Sequence, residues 1–316
     1  MIKPIGAGVL AVAKVFVTGG TGAIGRHAVS ALVDAGHVVT ALARNTDKAA
    51  ILQRQGAKPV EVSIFDKARL TEVFVGQDAV VNLATALPAT ADFRKISAWS
   101  ENIRIRTEGS AVVVDAALEA GVPRLIQESV SMIYRDHGSE WIDETCPTDD
   151  FPMAQSNLAA EASASRFSSS GGTGIILRFG WFYGPGAKHS EEFLALARKW
   201  GVCIMMGGAK TYLSSIHVAD GGRAVAAALA APASSYNVVD DVPLTKSDYA
   251  DAIAHAAGRK CYVRAPGRIA ELLGDGTTSL TRSLRVSNSA FKSATGWTPK
   301  FPSAREGWLA MAAELR

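Results

Sequence analysis

Short apolar runs alternate with longer amphipathic stretches along the chain from Lys14 to Phe179. The runs are rich in β-branched residues and nearly continuous in apolar character, which is typical of strands covered on both faces. They predict six strands, over 14–18, 38–43, 58–63, 79–84, 124–129 and 174–179. Helical periodicity predicts helices over 24–35, 67–74, 103–120 and 153–169. This alternation predicts an α/β fold built on a Rossmann-type doubly wound parallel sheet.

The alternation loosens after residue 185, where predicted helices over 191–200, 217–231 and 246–257 are separated by short extended pieces. We therefore predict a dinucleotide-binding Rossmann domain over 14–185, to which segments near 214–240 return. Residues 186–316 are expected to form mainly a smaller α/β substrate lobe. Residues 1–13 are interpreted as an N-terminal extension, and their apolar run with one Lys leaves a secretory signal as the alternative.

Composition excludes several classes of function. Of the 316 residues, 48% are hydrophobic and the net charge is +3, with no dense Lys/Arg run that would favour nucleic-acid binding. Cys146, Cys203 and Cys261 lie far apart without metal-ligand spacing, and this pattern favours a reduced, cytoplasmic protein without a metal. The chain has no run of about 20 apolar residues, so no membrane span is expected.

The strongest local signal is the glycine-rich stretch VFVTGGTGAIGRHAV, which covers residues 15–29. A predicted strand leads directly into Gly19-x-x-Gly22-x-x-Gly25, and a predicted helix follows. Gly19 permits a tight turn, Gly22 lets a pyrophosphate approach the backbone, and Gly25 lets the helix pack on the sheet. Because a helix N-terminus favours phosphate groups, this stretch predicts a dinucleotide site.

The spacing T-G-G-x-G-x-x-G resembles that of the extended short-chain dehydrogenases/reductases, in the NAD-dependent epimerase/dehydratase family. Further stretches resemble that family in the same order, and these are 79-AVVNLATALP-88, 102-NIRIRTEGSAVVVDAA-117, 178-RFGWFYGPG-186, 215-SIHVAD-220 and 286-VSNSAFKSATGWTPKF-301. The resemblance implies that a nicotinamide dinucleotide binds at the carboxyl edge of the sheet. It places cofactor contacts at Gly19, Thr21, Gly22, Ala23, Ile24, Gly25, Arg26, Arg44, Ser63, Ile64, Leu83, Ala84, Thr85, Asn102, Asn157, Phe179 and Trp181.

The choice of dinucleotide depends on the end of the second strand. NAD-preferring members place an acidic residue there for the ribose 2′-hydroxyl, whereas this chain has Arg44. Arg26 follows the third glycine, and two guanidinium groups near a 2′-phosphate would favour NADP. NAD remains the alternative, with Arg44 as a solvated loop residue.

The catalytic pair that the resemblance implies is absent. The family's helix begins P-Y-x-x-S-K-L-A-A-E, and this chain has PMAQSNLAAE over 152–161, so Tyr becomes Met153 and Lys becomes Asn157. Met153 cannot transfer a proton, and Asn157 can only hydrogen-bond the ribose hydroxyls. The family's Ser or Thr position falls on Val130, flanked by Ser129 and Ser131.

Replacement groups must come from segments that line the same cleft. The candidate catalytic residues are Ser129, Ser131, Tyr134 and Tyr183, although local structural roles are an alternative for all four. The predicted mouth of the cleft is apolar and aromatic, as in pockets for small hydrophobic molecules. Its candidate substrate-lining residues are Met132, Met153, Phe182, His189, Met205 and Tyr212.

Three functions are compatible with these residues. The first is an atypical NADP-dependent oxidoreductase acting on a carbonyl or enone group of a small hydrophobic substrate. The second is a non-catalytic NADP(H)-sensing regulatory protein, because the proton-transfer pair is missing. The third is a redox-neutral lyase, isomerase or epimerase on the same fold. The resemblance also implies a homodimer that pairs through the helices predicted over 103–120 and 153–169.

Overall fold

The computed structural model describes residues 12–93, 95–203, 205–260, 263–264 and 278–315. Residues 1–11 of the expected N-terminal extension and Cys261 lie outside this range. The strands are β1 (Lys14–Thr18), β2 (Val38–Ala43), β3 (Lys58–Glu61), β4 (Ala79–Asn82), β5 (Arg124–Val130), β6 (Trp141–Ile142), β7 (Thr173–Phe179), β8 (Trp181–Tyr183), β9 (Val202–Cys203), β10 (Tyr212–Leu213), β11 (Ser215–His217), β12 (Ser234–Val238), β13 (Leu244–Thr245), β14 (Val263–Arg264) and β15 (Arg285–Val286).

The helices are α1 (Gly25–Asp34), α2 (Thr46–Arg54), α3 (Lys67–Phe74), α4 (Ser100–Arg104), α5 (Ser110–Glu119), α6 (Pro152–Ser169), α7 (Lys188–Trp200), α8 (Val218–Ala228), α9 (Lys246–Ala256), α10 (Thr278–Thr281), α11 (Ser289–Thr295) and α12 (Ala304–Glu314). A π turn over Ile105–Gly109 joins α4 to α5, so the helix predicted over 103–120 is one helical segment with a local widening. Short 3-10 turns occur at Thr90–Asp92, Ile96–Trp99 and Ser131–Ile133.

The central sheet has seven parallel strands in the order β12-β7-β5-β4-β1-β2-β3. Their side chains are apolar on both faces because helices cover both faces. Val15 and Val17 of β1 pack with α1 residues such as Ala28, while Phe16 packs on the opposite face with Phe74 of α3. The doubly wound parallel sheet predicted from the sequence is therefore confirmed.

The strand order reverses between β1 and β4, since β2 and β3 extend the sheet one way and β5, β7 and β12 the other. Ligands of such sheets bind at the carboxyl ends of the strands beside this reversal. A second core, which we name the C-terminal core, includes Tyr183, Leu194, Tyr249 and Trp308, and it joins α7, α9 and α12. These three helices fall in the part of the chain where the sequence predicts the smaller lobe.

Candidate functional site

The turn between β1 and α1 depends on its glycines. Gly19 has φ +67°, a left-handed conformation that side chains rarely adopt, and a Cβ there would overlap the Leu83 carbonyl. A Cβ on Gly25 would overlap the Gly19 carbonyl oxygen. A Cβ on Gly22, in contrast, would meet only that oxygen, at 3.2 Å. The protein's own packing therefore fixes two of the glycines, and Gly22 leaves its space open to a ligand.

The turn leads into the N-terminus of α1, whose N-cap residue, Ile24, provides no side-chain cap. Backbone N–H groups of the first helical turn and the positive end of the helix dipole therefore face the turn. This geometry suits the pyrophosphate of a dinucleotide.

A cleft of about 710 Å³ runs along the carboxyl ends of β1–β4. Its walls contain three cationic side chains, of Arg44, Lys48 and Arg69, and three carboxylates, of Glu61, Asp66 and Glu101. Arg44 and Lys48 lie at the junction of β2 and α2, where Asn45 caps the helix by accepting from the Lys48 N–H. The positive charge is therefore concentrated at the end of β2, and the helix dipole of α2 adds to it.

The structure brings together only some of the predicted cofactor residues. Those on the cleft walls are Gly19, Thr21, Gly22, Arg44, Ser63, Ile64, Ala84 and Thr85. Those off the walls are Ala23, Ile24, Gly25, Arg26, Leu83, Asn102, Asn157, Phe179 and Trp181. The Arg26 guanidinium lies instead against the backbone of Gly186. Lys48 and Arg69 were missed, because their positions on the cleft wall depend on how α2 and α3 pack on the sheet.

The alignment of the family pattern N-x-x-G-T with this chain requires a correction at Asn102 and Arg106. Asn102 is buried, and its Oδ1 accepts from the Ala86 N–H at 3.1 Å, so it holds the segment that follows β4. Counted back from Gly109-Ser110, the family pattern N-x-x-G-T places its Asn at position 106, where this chain has Arg. Arg106 lies in the π turn and forms a buried ion pair with Glu128, Nη2 to Oε2 at 2.8 Å. Burial raises the pKa of Glu128, and Arg106 opposes that rise.

The start of α6 carries the two residues that replace the family's Tyr and Lys. Asn157 is buried and donates from Nδ2 to the Met153 carbonyl at 2.8 Å. This bond fixes the orientation of the amide, and its Oδ1 is left without a partner in the described residues. An unpaired buried acceptor is costly. Asn157 does not line the cleft, so the residues that fit a nicotinamide dinucleotide are those of the glycine turn and the cleft walls.

The two serine candidates differ in their surroundings. Ser129 is fully buried in β5 and donates from Oγ to Glu161 Oε1 at 2.6 Å, so its hydroxyl belongs to a buried network with α6. Ser131 follows β5 directly and begins a 3-10 turn at the carboxyl edge of the sheet. Ser131 is thus better placed than Ser129 to reach a ligand at that edge.

The structure does not bring the two tyrosine candidates to the cleft. Tyr134 is fully buried, and its hydroxyl donates to Asn237 Oδ1 at 2.9 Å and accepts from Arg178 Nη1 at 2.7 Å. Burial raises the pKa of Tyr134 to about 12, and Arg178 opposes that rise. Such a hydroxyl is a poor acid near neutral pH.

Tyr183 is buried in the C-terminal core, where its ring stacks on Trp308 with centroids 5.7 Å apart. Its hydroxyl donates to the Ser303 carbonyl at 3.3 Å, and burial raises its pKa well above the usual range. Both tyrosines, expected as replacement acids, therefore have structural roles because their hydroxyls satisfy buried acceptors.

An apolar pocket lies beside Met153, at the start of α6. Of the predicted substrate-lining residues, only Met153 lines it. Met132 packs against a small core that contains Tyr134 and Ile142, and Met205 packs against the C-terminal core. Tyr212 lies in β10, where the Arg285 guanidinium covers its ring. Phe182 and His189 contact each other, with His189 Nε2 2.7 Å from the Phe182 carbonyl. Burial lowers the pKa of His189.

The described residues contain no group of three or more His, Cys, Asp or Glu side chains that could hold a metal ion. None of their helices is both long and apolar enough to cross a membrane.

The fold and the glycine turn define a Rossmann-type protein with a dinucleotide cleft. The chain belongs to the NAD dependent epimerase/dehydratase family, whose model matches residues 15–239. The chain is 32% identical to a 3-diazoavenalumate denitrifying reductase from Streptomyces sp over 304 residues, which cover 93% of this chain and 98% of the relative. It is 26% identical to a 4-hydroxy-2-methyl-3-oxo-4-farnesyl-3,4-dihydroquinoline-1-oxide ketoreductase from Stigmatella aurantiaca, over 79% of this chain and 75% of the relative.

Solved structures agree with the fold. A UDP-glucose 4-epimerase from Thermus thermophilus, in complex with NAD, superposes with a TM-score of 0.78 at 24% identity, covering 96% of this chain and 99% of that one. A dTDP-glucose 4,6-dehydratase from Streptomyces venezuelae, with NAD bound, gives a TM-score of 0.79 at 21% identity, covering 95% of each chain. At these identities the likeness shows the fold alone.

Proposed function

We propose that this protein is an NADPH-dependent reductase of a small aromatic diazo compound, from which it removes nitrogen reductively. The observation that carries the proposal is the start of α6, where Met153 and Asn157 stand in place of a proton-donating Tyr and a Lys. The cleft at the carboxyl ends of β1–β4 supports dinucleotide binding. The reductase similar to this chain over nearly its whole length supports the substrate class.

The proton requirement separates the substrate classes. Bound NADPH would supply a hydride. Reduction of a carbonyl or enone also needs a proton, for the developing alkoxide or enolate, and the family takes it from Tyr. Replacement of N₂ by hydrogen on an arenediazonium group forms one C–H bond, breaks one C–N bond and consumes only the hydride. An ortho-diazophenol, which has lost its phenolic proton near neutral pH, leaves as a phenolate that takes its proton from water, so no acid is needed at the reacting carbon. A site without an acid therefore suits a diazo group better than the carbonyl or enone expected from the sequence.

The absence of a charge at position 157 also favours a diazo substrate. A Lys there would repel a diazonium group, whereas the Asn157 amide carries no charge. Met153 adds a polarizable, uncharged side chain at the adjoining pocket.

Turnover tests the proposal directly. The protein is mixed with NADPH and an ortho-diazophenol, and NADPH absorbance and released N₂ are followed together, with protein-free mixtures as controls. We expect protein-dependent N₂ release in equal amounts to NADPH oxidised, and deuterium from 4-deuterated NADPH on the aromatic carbon. Turnover of cinnamaldehyde or cyclohexanone without turnover of the diazophenol would instead support the carbonyl or enone reductase.

NADP preference is a further part of the proposal, and Arg44 carries it. We expect Arg44→Asp to weaken NADPH binding by roughly ten- to a hundred-fold, because charge-assisted bonds to a 2′-phosphate contribute about 1.5–3 kcal/mol. NADH binding should hold or improve. Fluorescence titration with both cofactors measures this, and Arg54→Asp, at the far end of α2, is the charge-matched control. An equal effect of Arg44→Asp on both cofactors would remove the support for NADP.

Restoring the family's pair should harm the native reaction. We expect Met153→Tyr with Asn157→Lys to reduce turnover of the diazophenol by at least about ten-fold, because a Lys charge opposes the positively charged diazo group of the substrate. Weak carbonyl reduction could then be gained. Steady-state kinetics measure both, with Met153→Leu and Asn157→Gln as the control double variant. Faster diazophenol turnover by the restored pair would contradict the proposal.

A non-catalytic NADP(H) sensor is the second candidate, favoured by the same missing pair. A sensor must bind NADPH and NADP⁺ with clearly different affinities, since only differential binding shifts a conformation. Isothermal titration with each cofactor, combined with absent turnover, would favour this candidate.

We also propose that the protein is a cytoplasmic homodimer that pairs through the α4–α5 segment and α6. The resemblance to the family supports this pairing. Size-exclusion chromatography with light scattering measures the mass in solution, and a monomer would contradict it.

A further inference from the structure

Asp240 is a buried carboxyl group at the point where the chain leaves the central sheet. It follows the last residue of β12 by two positions and precedes α9, which belongs to the C-terminal core. Its side chain is 2% exposed, and no cation of the described residues forms an ion pair with it. An ionised carboxylate in such a place would carry a buried charge without a counter-ion, which is strongly unfavourable.

Neighbouring elements surround this carboxyl with hydroxyl groups. Ser215 of β11 donates from Oγ to Asp240 Oδ2 at 2.9 Å, and the Asp240 N–H donates to the Ser215 carbonyl at 2.7 Å. The hydroxyls of Tyr183 in β8 and Tyr249 in α9 interact with the same carboxyl. Asp240 Oδ1 has no hydrogen-bond partner in the described residues, and neither has the Tyr249 hydroxyl. One carboxyl oxygen is therefore bonded, and the other is free to carry a proton.

The number of protons on these groups favours a neutral Asp240. The single proton of the Tyr183 hydroxyl is directed to the Ser303 carbonyl, at 3.3 Å. The Tyr183 oxygen can therefore accept a hydrogen bond from Asp240 but cannot also donate one to it. A protonated Oδ1 supplies that bond, whereas an ionised Oδ1 would have to draw the Tyr183 proton away from Ser303.

The other titratable groups around Asp240 also oppose its ionisation. Asp220 of α8 is fully buried and pairs with Arg223, so the nearest carboxylate brings a like charge. Burial lowers the pKa of His217 in β11 to about 4, so this side chain is neutral near pH 7 and supplies no counter-charge. Burial raises the pKa of Asp240 well above its usual range, the Ser215 hydroxyl opposes that rise, and the Asp220 charge adds to it.

We propose that Asp240 forms a pH-sensitive contact between the central sheet and the C-terminal core: it carries its proton in the folded protein, and loss of that proton loosens α9 and α12. The neutral acid joins the end of β12 to the hydroxyls of Tyr183 and Tyr249. Ionisation would place a negative charge beside these hydroxyls, and Trp308 of α12 stacks on the Tyr183 ring. The contact is independent of the reaction proposed above, because the cofactor cleft lies at the carboxyl ends of β1–β4.

The direction of the pH dependence follows from the protons bound in each state. An unfolded Asp releases its proton near about pH 4, whereas folded Asp240 keeps its proton to a higher pH. The stability that this group contributes is therefore fully present below about pH 4 and is lost as the pH rises towards the folded pKa. Within that window the unfolding constant should increase by about ten-fold per pH unit.

Asp240→Asn tests the contact, because the amide has the shape of the neutral acid and cannot ionise. Denaturant unfolding is measured from about pH 5 to about pH 9 for both proteins. We expect the ratio of unfolding constants, unmodified protein over Asp240→Asn, to rise by about ten-fold per pH unit until folded Asp240 titrates. The ratio cancels groups common to both proteins, among them Glu128, whose pKa burial also raises. Asp34→Asn, the same change at an exposed residue of α1, is the matched control and should not show this rise.

Hydrogen exchange of the unmodified protein tests the same contact without a substitution. Exchange rates, corrected for their intrinsic pH dependence, should increase with pH in α9 and α12. They should stay constant in α3, whose buried residues belong to a different core. If Asp240→Asn does not fold, this measurement decides alone. A ratio of unfolding constants that is constant or falls with pH, or an equal exchange response of α3, α9 and α12, would overturn the proposal.

Discussion

A Gly22→Ala variant should fold normally and bind NADPH at least about a hundred-fold more weakly. A Cβ at position 22 meets only the Gly19 carbonyl oxygen, at 3.2 Å, so a small adjustment of the turn accommodates it. The same methyl group occupies the space that a pyrophosphate needs for contact with the backbone. Fluorescence titration and thermal melts, measured on one preparation, separate the effect on binding from the effect on stability.

Gly25→Ala provides the comparison, because its Cβ would overlap the Gly19 carbonyl oxygen and force the turn to move. This variant should lose both cofactor affinity and stability. Gly208→Ala, away from the cleft walls, is the control that should change neither, because its Cβ would meet only the Thr211 Cγ2 methyl, at 3.2 Å. Unchanged NADPH affinity in Gly22→Ala would mean that the pyrophosphate does not approach this glycine.

Glu161→Gln should lower the free energy of unfolding by about 3–5 kcal/mol, because it leaves the buried charge of Arg178 uncompensated. Glu161 accepts from Arg178 Nε at 2.9 Å and from Arg178 Nη2 at 2.7 Å. Arg178 also donates to Tyr134, and Glu161 accepts from Ser129. One carboxylate thus connects α6, β5 and β7 in the interior. Denaturant unfolding measures the loss.

Glu72→Gln is the matched control for this substitution. Glu72 pairs with Arg69, but both side chains are more than half exposed, so the change should cost at most about 1 kcal/mol. Similar costs for Glu161→Gln and Glu72→Gln would show that the buried pair contributes no more than a solvated one.

The sequence predicted the strands of the central sheet well, because strands covered on both faces form nearly continuous apolar runs. The bounds of β1 and β2 match the prediction, and each strand starts at an exposed residue and ends at a buried one. Helix α2 was missed, since Leu52 is its one buried residue among those described and its apolar periodicity is correspondingly weak. The π turn, which contains the Arg106 that pairs with Glu128, was also missed.

The candidate site was predictable where it depends on local backbone geometry. The glycine turn is such a case, since each glycine's role follows from a strand and a helix adjacent in sequence. The acceptors of the Tyr134 and Tyr183 hydroxyls, Asn237 and the Ser303 carbonyl, lie more than a hundred positions away, so no local pattern shows that these hydroxyls are engaged. The unpaired Oδ1 of Asn157 is likewise visible only in the folded chain.

The position of β12 has a consequence for how the chain is assembled during synthesis. β12 completes the sheet by pairing with β7, from Ser234 opposite Ile175 to Val238 opposite Phe179. Until Val238 leaves the ribosome, β7 has an open edge whose backbone groups can pair with another chain. A fragment cut at residue 185, although it holds the whole glycine turn, would keep that edge permanently. The smallest fragment that closes the sheet must therefore extend past Val238 and include most of the residues that separate the two strands.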